Sequence, residues 1–506
     1  MGSTSDVTVR VRQGAVAPLG TSLVGTYAGG EAWTAGAGSL EVRDPGRLDE
    51  VVGVVSTATV DDVDVVVEIA RRAQAGWRAR PVEERAALLT RAADDLQREH
   101  EDLAVVLTRE NGTVLPNTRR ELLGASGVLR TAAGWGQDLL GAGSVFEDSW
   151  GWVRVERRPL GVVACIVPWN APVVLAAQKI GPALVAGNAV IVKPSPFAPL
   201  AVSLALRRIA SLLPPGVLNV VHGDHDVGAA LVANREVRKV SFTGGGPAAK
   251  VIMKSAADTL TRIHFELGGN DPAIVLDDAD LERTADQISA QAFQRAGQVC
   301  YAVKRVYVPR ALVTDFSEAM LDRVGSISIG HGLDPEATMG PVNNRPQLDR
   351  IRAIHSRLAE TGADVRMTGR VLNPDRWDEG YYLRPAVVVD ADPRDPLVQE
   401  EQFGPILPIV GYDTEEQAIE MANATEYGLG SSVWGSDHER AEAVASRIEA
   451  GLAFVNHHTA LSPLGQKHVP FGGIKQSGIG WENSPSGLGE YLEFHSTLIP
   501  WPEAAR

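Results

Sequence analysis

Between residues 161 and 300 short apolar runs rich in β-branched residues alternate with segments of helix length, and this alternation constrains the fold more than any other feature of the chain. Residues 162–167, 189–192, 218–221, 239–243, 262–266 and 272–276 read as strands. Helices are expected at about 173–186, 199–212 and 247–258, with one more after residue 221. Strands of this kind joined by helices must cross over in the right-handed sense, which predicts an α/β fold built on a doubly wound parallel sheet. A second alternating α/β region runs from about 300 to 475, with strand candidates at 305–308, 385–389 and 407–410. Upstream, Thr59 and Asp62 form a capping-box start to an amphipathic helix reaching Trp77, and helices follow near 83–98, 101–110 and 119–140. From Gly151 the pattern alternates, Trp152, Val153 and Val155 against Arg154 and Glu156, and residues 491–499 form a similar run. Both read as extended segments able to pair with another chain.

A chain of 506 residues has room for about three domains. Its net charge of -15 would repel nucleic acid and anionic membranes, so a small-molecule partner is expected. No stretch approaches the length of a membrane span, and no apolar core of a signal peptide follows Arg10 and Arg12, so the chain is expected to stay in the cytoplasm. Two cysteines, Cys165 and Cys300, are too few for a disulfide scaffold. Cys165 lies inside an apolar strand and reads as core. Cys300 lies between a helical pattern and a strand, where a side chain can face a site.

The run Gly244-Gly245-Gly246-Pro247-Ala248-Ala249 follows a strand and opens a helix, which fits a dinucleotide-binding loop. In that motif an acidic residue is expected about 20 positions on, and Glu266 stands 22 residues after Gly244. On spacing alone Glu266 would hold a cofactor ribose.

Seven motifs in order are similar to those of the aldehyde dehydrogenase superfamily: Pro168-Trp169-Asn170, Lys193-Pro194-Ser195, Phe242-Thr243-Gly244, Glu266-Leu267-Gly268-Gly269-Asn270, Gly297-Gln298-Val299-Cys300, Glu401-Gln402-Phe403-Gly404-Pro405, and the segment from Pro470 to Gly478. The resemblance covers about residues 25 to 500. It implies a non-acylating, NAD(P)-dependent enzyme in which Cys300 is the nucleophile, Asn170 an oxyanion donor and Glu266 a general base rather than a ribose ligand. It further implies a cofactor, NAD or NADP, held by Ile166, Trp169, Lys193, Ser195, Gly244, Gly245, Leu267, Glu401 and Phe403. An aldehyde would form a thiohemiacetal and then a thioester on Cys300, which water releases as a carboxylic acid. The alternatives are a CoA-acylating relative, against which Glu266 argues, and a catalytically silent member, against which intact Cys300, Glu266 and Asn170 argue.

The resemblance divides the chain into a discontinuous cofactor domain, 25–145 and 161–267, a catalytic domain, 268–476, an oligomerisation element, 146–160 with 484–500, and an extension, 1–24. A homodimer or homotetramer is implied. Lys179 and Glu482 occupy positions tied in relatives to proton relay, but a surface or structural ion pair is the favoured reading. Three departures bear on the cofactor. Pro196 stands where many NAD-preferring relatives have a glutamate, which removes a repulsion of the NADP 2′-phosphate. Gly245 replaces a common serine, and Ala249 replaces the last glycine. The chain has only eight lysines among its 48 cationic residues, so Lys193 is hard to dismiss as routine surface charge.

His222, Asp224, His225 and Asp226 carry ligand-type side chains but read as a solvated loop, and no metal is expected. His457, His458 and His468 lie near the expected substrate side, where 462–469 looks longer than in many relatives. The tunnel candidates Val173, Val174, Val299, Tyr301 and Phe471 are mainly apolar, which leans towards an uncharged aliphatic or aromatic aldehyde.

Overall fold

The computed structural model describes residues 23–33, 36, 38–140, 143–459 and 467–502. Of the expected extension 1–24 only Leu23 and Val24 fall within it, and of the loop 462–469 only the last three residues.

The alternating region forms the centre of an eight-stranded sheet in the order Gly478–Ile479, Arg262–Glu266, Val237–Thr243, Val162–Ile166, Ala189–Lys193, Leu218–Val220, Thr26–Ala28 and Glu31–Trp33. The five strands from Arg262–Glu266 to Leu218–Val220 are parallel, Gly478–Ile479 and Thr26–Ala28 run antiparallel to them, and Glu31–Trp33 pairs antiparallel with Thr26–Ala28. Successive side chains of a strand point to opposite faces, and both faces here are covered. Val163, Cys165, Val190 and Val192 enter one core with the helices Val82–Arg98, Leu115–Leu139 and Pro172–Ala186. Val162, Ala164, Ala189 and Ile191 enter another with Val60–Arg78 and His225–Ala233. Cys165 is fully buried among the first group.

The run 271–275 does not extend this sheet. It starts a second, seven-stranded one: Asp364–Met367, Ala386–Val389, Ile406–Tyr412, Val303–Pro309, Asp271–Val275, Gly430–Trp434 and Leu452–Val455, all parallel except the first. The apolar pattern is the same on either side of Gly268-Gly269, so only tertiary packing separates the two sheets. The two extended candidates pair with each other: Leu492–Pro500 lies antiparallel to Gly151–Pro159, which also pairs with Ser144–Glu147. This small sheet leaves Val145, Phe146, Phe494 and Leu498 exposed.

The Thr59 capping box forms as expected, Asp62 N donating to Thr59 Oγ1 at 3.1 Å and Thr59 N to Asp62 Oδ2 at 2.7 Å. The helix expected from 119 begins at Leu115, because Pro116 sits in its first turn, where the missing N–H costs nothing. The strands Gly38–Asp44 and Arg47–Thr57 were not anticipated.

Candidate active site

In the first sheet the strands 162–166, 189–193 and 218–220 run to one side and 237–243 and 262–266 to the other, so the order reverses beside Val162–Ile166. Doubly wound sheets bind ligands at the carboxyl ends of the strands flanking such a reversal. Ile166, Lys193, Thr243 and Glu266 are the last residues of their strands, and Trp169, Asn170 and the 244–246 glycines follow directly. The second sheet meets this edge with the amino ends of its strands: Cys300 precedes Val303–Pro309, and Gly269 precedes Asp271–Val275.

Backbone geometry holds the cysteine loop. Arg295, Ala296 and Gly297 are all left-handed, with φ of 52°, 54° and 74°. A Cβ at Gly297 would stand 2.3 Å from the Gly404 carbonyl oxygen, so only glycine fits. Left-handed backbone at two non-glycine residues costs on the order of 1 kcal/mol each and needs fixing contacts. Arg295 supplies them, donating to Asn170 O at 2.8 Å and to Glu121 Oε2 at 2.7 Å. Glu121 in turn accepts from Val173 N at 2.9 Å at the start of the helix Pro172–Ala186. Asn170 Nδ2 donates to Gln298 O at 3.0 Å, which leaves the second N–H of that amide unbonded among the described residues. The Cys300 backbone N–H has no hydrogen-bond partner among the described residues either. Two free donors thus flank a half-buried thiol.

Glu266 is fully buried, and neither carboxylate oxygen has a donor at full hydrogen-bonding geometry among the described residues. Burial, reinforced by the Glu482 charge, pushes its pKa up to about 8, against the opposing pull of Lys179 and the Cys300 thiol. Burial and the Glu266 charge likewise hold the Cys300 thiol well above its usual range, with Lys304 opposing them. The two groups therefore sense each other, and a proton leaving sulfur or water has an acceptor whose pKa lies near neutrality. This setting suits a base better than a ribose ligand. Lys179 and Glu482 form a fully buried ion pair, not a surface one, because both side chains turn into the interior beside His264. His264 Nδ1 is 3.1 Å from Ser241 Oγ, which accepts from Tyr491 OH at 3.3 Å.

The expected cofactor residues surround the same edge. An added Cβ at Gly246 would meet nothing within 4 Å and one at Gly245 only Pro247, so the start of the helix Gly246–Ala257 is open to close approach. Lys193 is buried, and burial pulls its pKa down to about 8 against the Asp224 charge. Ser195 Oγ accepts from Phe197 N at 3.3 Å. Glu401 Oε1 accepts from Gly269 N at 3.2 Å, and Phe403, left-handed at φ 52°, meets Trp169 edge to face at 5.6 Å. Leu267 is buried and donates its N–H to Ser477 O at 2.9 Å. An open glycine turn, a buried lysine and the Glu401 carboxylate fit a dinucleotide.

His222 is buried against Ser203 at 3.3 Å and its pKa falls to about 3, so it is a core histidine rather than part of a solvated loop; Asp224, His225 and Asp226 are exposed. Among the described residues no group of three or more His, Cys, Asp or Glu could hold a metal. Of the three later histidines only His458 reaches the site's support, bonding Tyr301 O at 2.7 Å; His457 and His468 are exposed. Tyr301 and Phe471 pack edge to face at 5.6 Å beside Cys300. Sequence reasoning missed Arg295, Glu121, His264 and Lys304. For Lys304 a signal existed in the scarcity of lysine: four of the eight, Lys179, Lys193, Lys239 and Lys304, are buried.

A family model described as the aldehyde dehydrogenase family matches residues 33–497. The 3,6-anhydro-alpha-L-galactose dehydrogenase of Vibrio sp. (strain EJY3) is 34% identical over 453 residues, covering 88% of this chain and 92% of its own. Among solved structures, betaine aldehyde dehydrogenase of Staphylococcus aureus in complex with NAD+ superimposes with TM-score 0.89 at 33% identity, covering 94% of each chain. An aldehyde dehydrogenase from Brucella melitensis biovar abortus 2308 does so with TM-score 0.88 at 31% identity, over 94% of this chain and 97% of that one. No helix among the described residues is long and apolar enough to cross a membrane.

Proposed function

The chain belongs to the aldehyde dehydrogenase family, and from that membership we propose that it oxidises an aldehyde to a carboxylic acid with NAD(P)+, using Cys300 as nucleophile, Asn170 as oxyanion donor and Glu266 as base. The observation that carries the reading is the meeting of Cys300 and Glu266, delivered from two different sheets, beside two unbonded donors.

The Cys300 thiolate adds to the aldehyde carbon, and the negative charge that develops on oxygen is received by the free N–H of Asn170 and the Cys300 backbone N–H. When bound, the oxidised nicotinamide supplies the two-electron acceptor that turns the thiohemiacetal into a thioester. Lys193 and Ser195 would hold the adenosine side, the 244–246 turn the pyrophosphate, and Glu401 with Phe403 the nicotinamide side. Glu266 then takes a proton from the hydrolytic water, and the acyl group leaves Cys300 as the acid. With such a base beside the thioester, a CoA-dependent release is not favoured. Asn170→Ala is expected to slow thioester formation by about 10²–10³-fold, seen as a slower pre-steady-state burst of reduced cofactor with unchanged cofactor affinity. An unchanged burst rate would remove Asn170 from the oxyanion hole.

Pro196 leaves the Lys193 side of the cofactor site without a facing carboxylate at that position, so NADP+ should be used as well as NAD+. Pro196→Glu is expected to shift the ratio of kcat/KM values towards NAD+ by at least about ten-fold. A wild-type preference for NAD+ beyond about 100-fold, ~2.7 kcal/mol, contradicts this part of the reading.

Residues 25–145 and 161–267 are read as the cofactor domain and 268–476 as the catalytic domain. The small sheet of 146–160 and 484–500, with exposed Phe146, Phe494 and Leu498, is read as the surface for a homodimer or homotetramer. Two unpaired cysteines are in keeping with a place in the cytoplasm.

A further inference from the structure

Lys304 has no part in the reaction outlined above, yet its charge is buried directly against the nucleophile loop. It is the second residue of the strand Val303–Pro309 and is 1% exposed. Its Nζ donates to Val299 O at 2.6 Å and to Cys300 O at 3.0 Å. The same nitrogen stands 3.6 Å from Glu401 Oε1 and 5.7 Å from the centre of the Phe403 ring. Taking an ammonium out of water is costly unless its surroundings compensate, and a neutral side chain of similar length would fill this space without that cost. The contacts place the charge where two features of the site need it.

The first is the peptide unit between Val299 and Cys300. Its carbonyl accepts from Lys304, and its N–H is the unbonded donor beside the thiol. A charge-assisted bond to the oxygen polarises the whole unit and makes that N–H a stronger donor. The second is the thiol itself. The groups acting on it are Glu266 at the end of Arg262–Glu266 and Glu401 in the loop after Pro396–Gln399, both disfavouring the thiolate, and Lys304, which favours it; Tyr301, next in the chain, also senses Cys300.

We propose that Lys304 is a positioning residue that fixes the Cys300 loop and lends its charge to the thiolate and, through the Val299–Cys300 peptide, to the oxyanion that follows. The inference rests on Cys300 being the nucleophile.

The test is the pH profile of Cys300 alkylation by iodoacetamide in the full chain, without aldehyde, read by intact mass and with Cys300→Ala as the blank. Lys304→Met and Lys304→Gln are expected to react at least about ten-fold more slowly near neutral pH and to move the profile upward by at least about one pH unit. Glutamine can still bond the two carbonyls, so a shift in Lys304→Gln reports the charge rather than the hydrogen bonds. Lys304→Arg is expected to stay within about three-fold of wild type. Profiles of folded Lys304→Met and Lys304→Gln that overlay the wild-type profile overturn the proposal, as does a Lys304→Gln profile that returns to wild type while Lys304→Met is shifted. If neither neutral variant folds, folded Lys304→Arg decides: a profile within about three-fold of wild type supports the role of the charge, and one slowed by at least about ten-fold and moved upward overturns it. Alkylation needs no turnover, so a chain that oxidised no aldehyde would leave this result readable.

Discussion

Cys300→Ala is expected to lower kcat for aldehyde oxidation by at least about 10⁴-fold and to erase the pre-steady-state burst of reduced cofactor. The size of the effect follows from the absence of a substitute. The chain has one other thiol, Cys165, which is fully buried in the first sheet, where burial pushes its pKa up to about 12. No thiolate is available there, and no aldehyde reaches it. The substitution removes one sulfur from a half-buried position, so the fold and the cofactor site should survive. Cofactor titration by calorimetry should give a Kd within about three-fold of wild type, since the glycine turn and Lys193 lie on the other sheet. A burst retained in Cys300→Ala would show that oxidation proceeds without covalent catalysis, and the proposed mechanism would fall.

Glu266→Gln should divide the reaction in two. The burst is expected to remain, because thioester formation needs the thiolate and the oxyanion donors, whereas steady-state turnover should fall by about 10²–10⁴-fold for want of a base. Acyl-enzyme should then accumulate as a mass increment on Cys300. The pH dependence carries the same message. Burial lifts the Glu266 pKa to about 8, and only the deprotonated carboxylate can accept a proton, so wild-type hydrolysis should rise with pH through that value. The variant should lose this rise. Above pH about 8, where Glu266 carries its charge, it is one of the two carboxylates that disfavour the Cys300 thiolate, so Glu266→Gln should be alkylated faster than wild type in that range. If instead deacylation persists and cofactor affinity collapses, Glu266 is the ribose ligand that its spacing from Gly244 first implied.

Different parts of this site were legible to different degrees. Cys165 and Cys300 were separable from their neighbours alone, since one sits in a β-branched run and the other in a connection. The strands 162–166 and 189–193 lie close to where the apolar pattern predicts them, because a strand buried on both faces writes itself as a continuous apolar run. The pairing Lys179–Glu482 was not legible as a buried one: the partners lie 303 residues apart, one on the helix Pro172–Ala186 and the other in a bridge with Phe471, and only tertiary packing brings them together. His222 is followed by polar residues in sequence yet is buried in space, against Ser203. Arg295 gave no sign of its role, because neither its left-handed backbone nor its bond to Glu121 leaves a trace in periodicity.

By itself the sequence determined the α/β class, the two alternating regions, the glycine turn and which of the two thiols lies in a connection rather than in a strand, all of which depend on local pattern and residue chemistry. The tertiary structure decided where one sheet ends and the next begins, which lysines are buried, and that Glu266 faces Cys300. Those outcomes depend on contacts between residues far apart in the chain. The carboxyl edge of one sheet meets the amino edge of the other, and the charges gathered at that seam shift each other's protonation in a way no local pattern encodes.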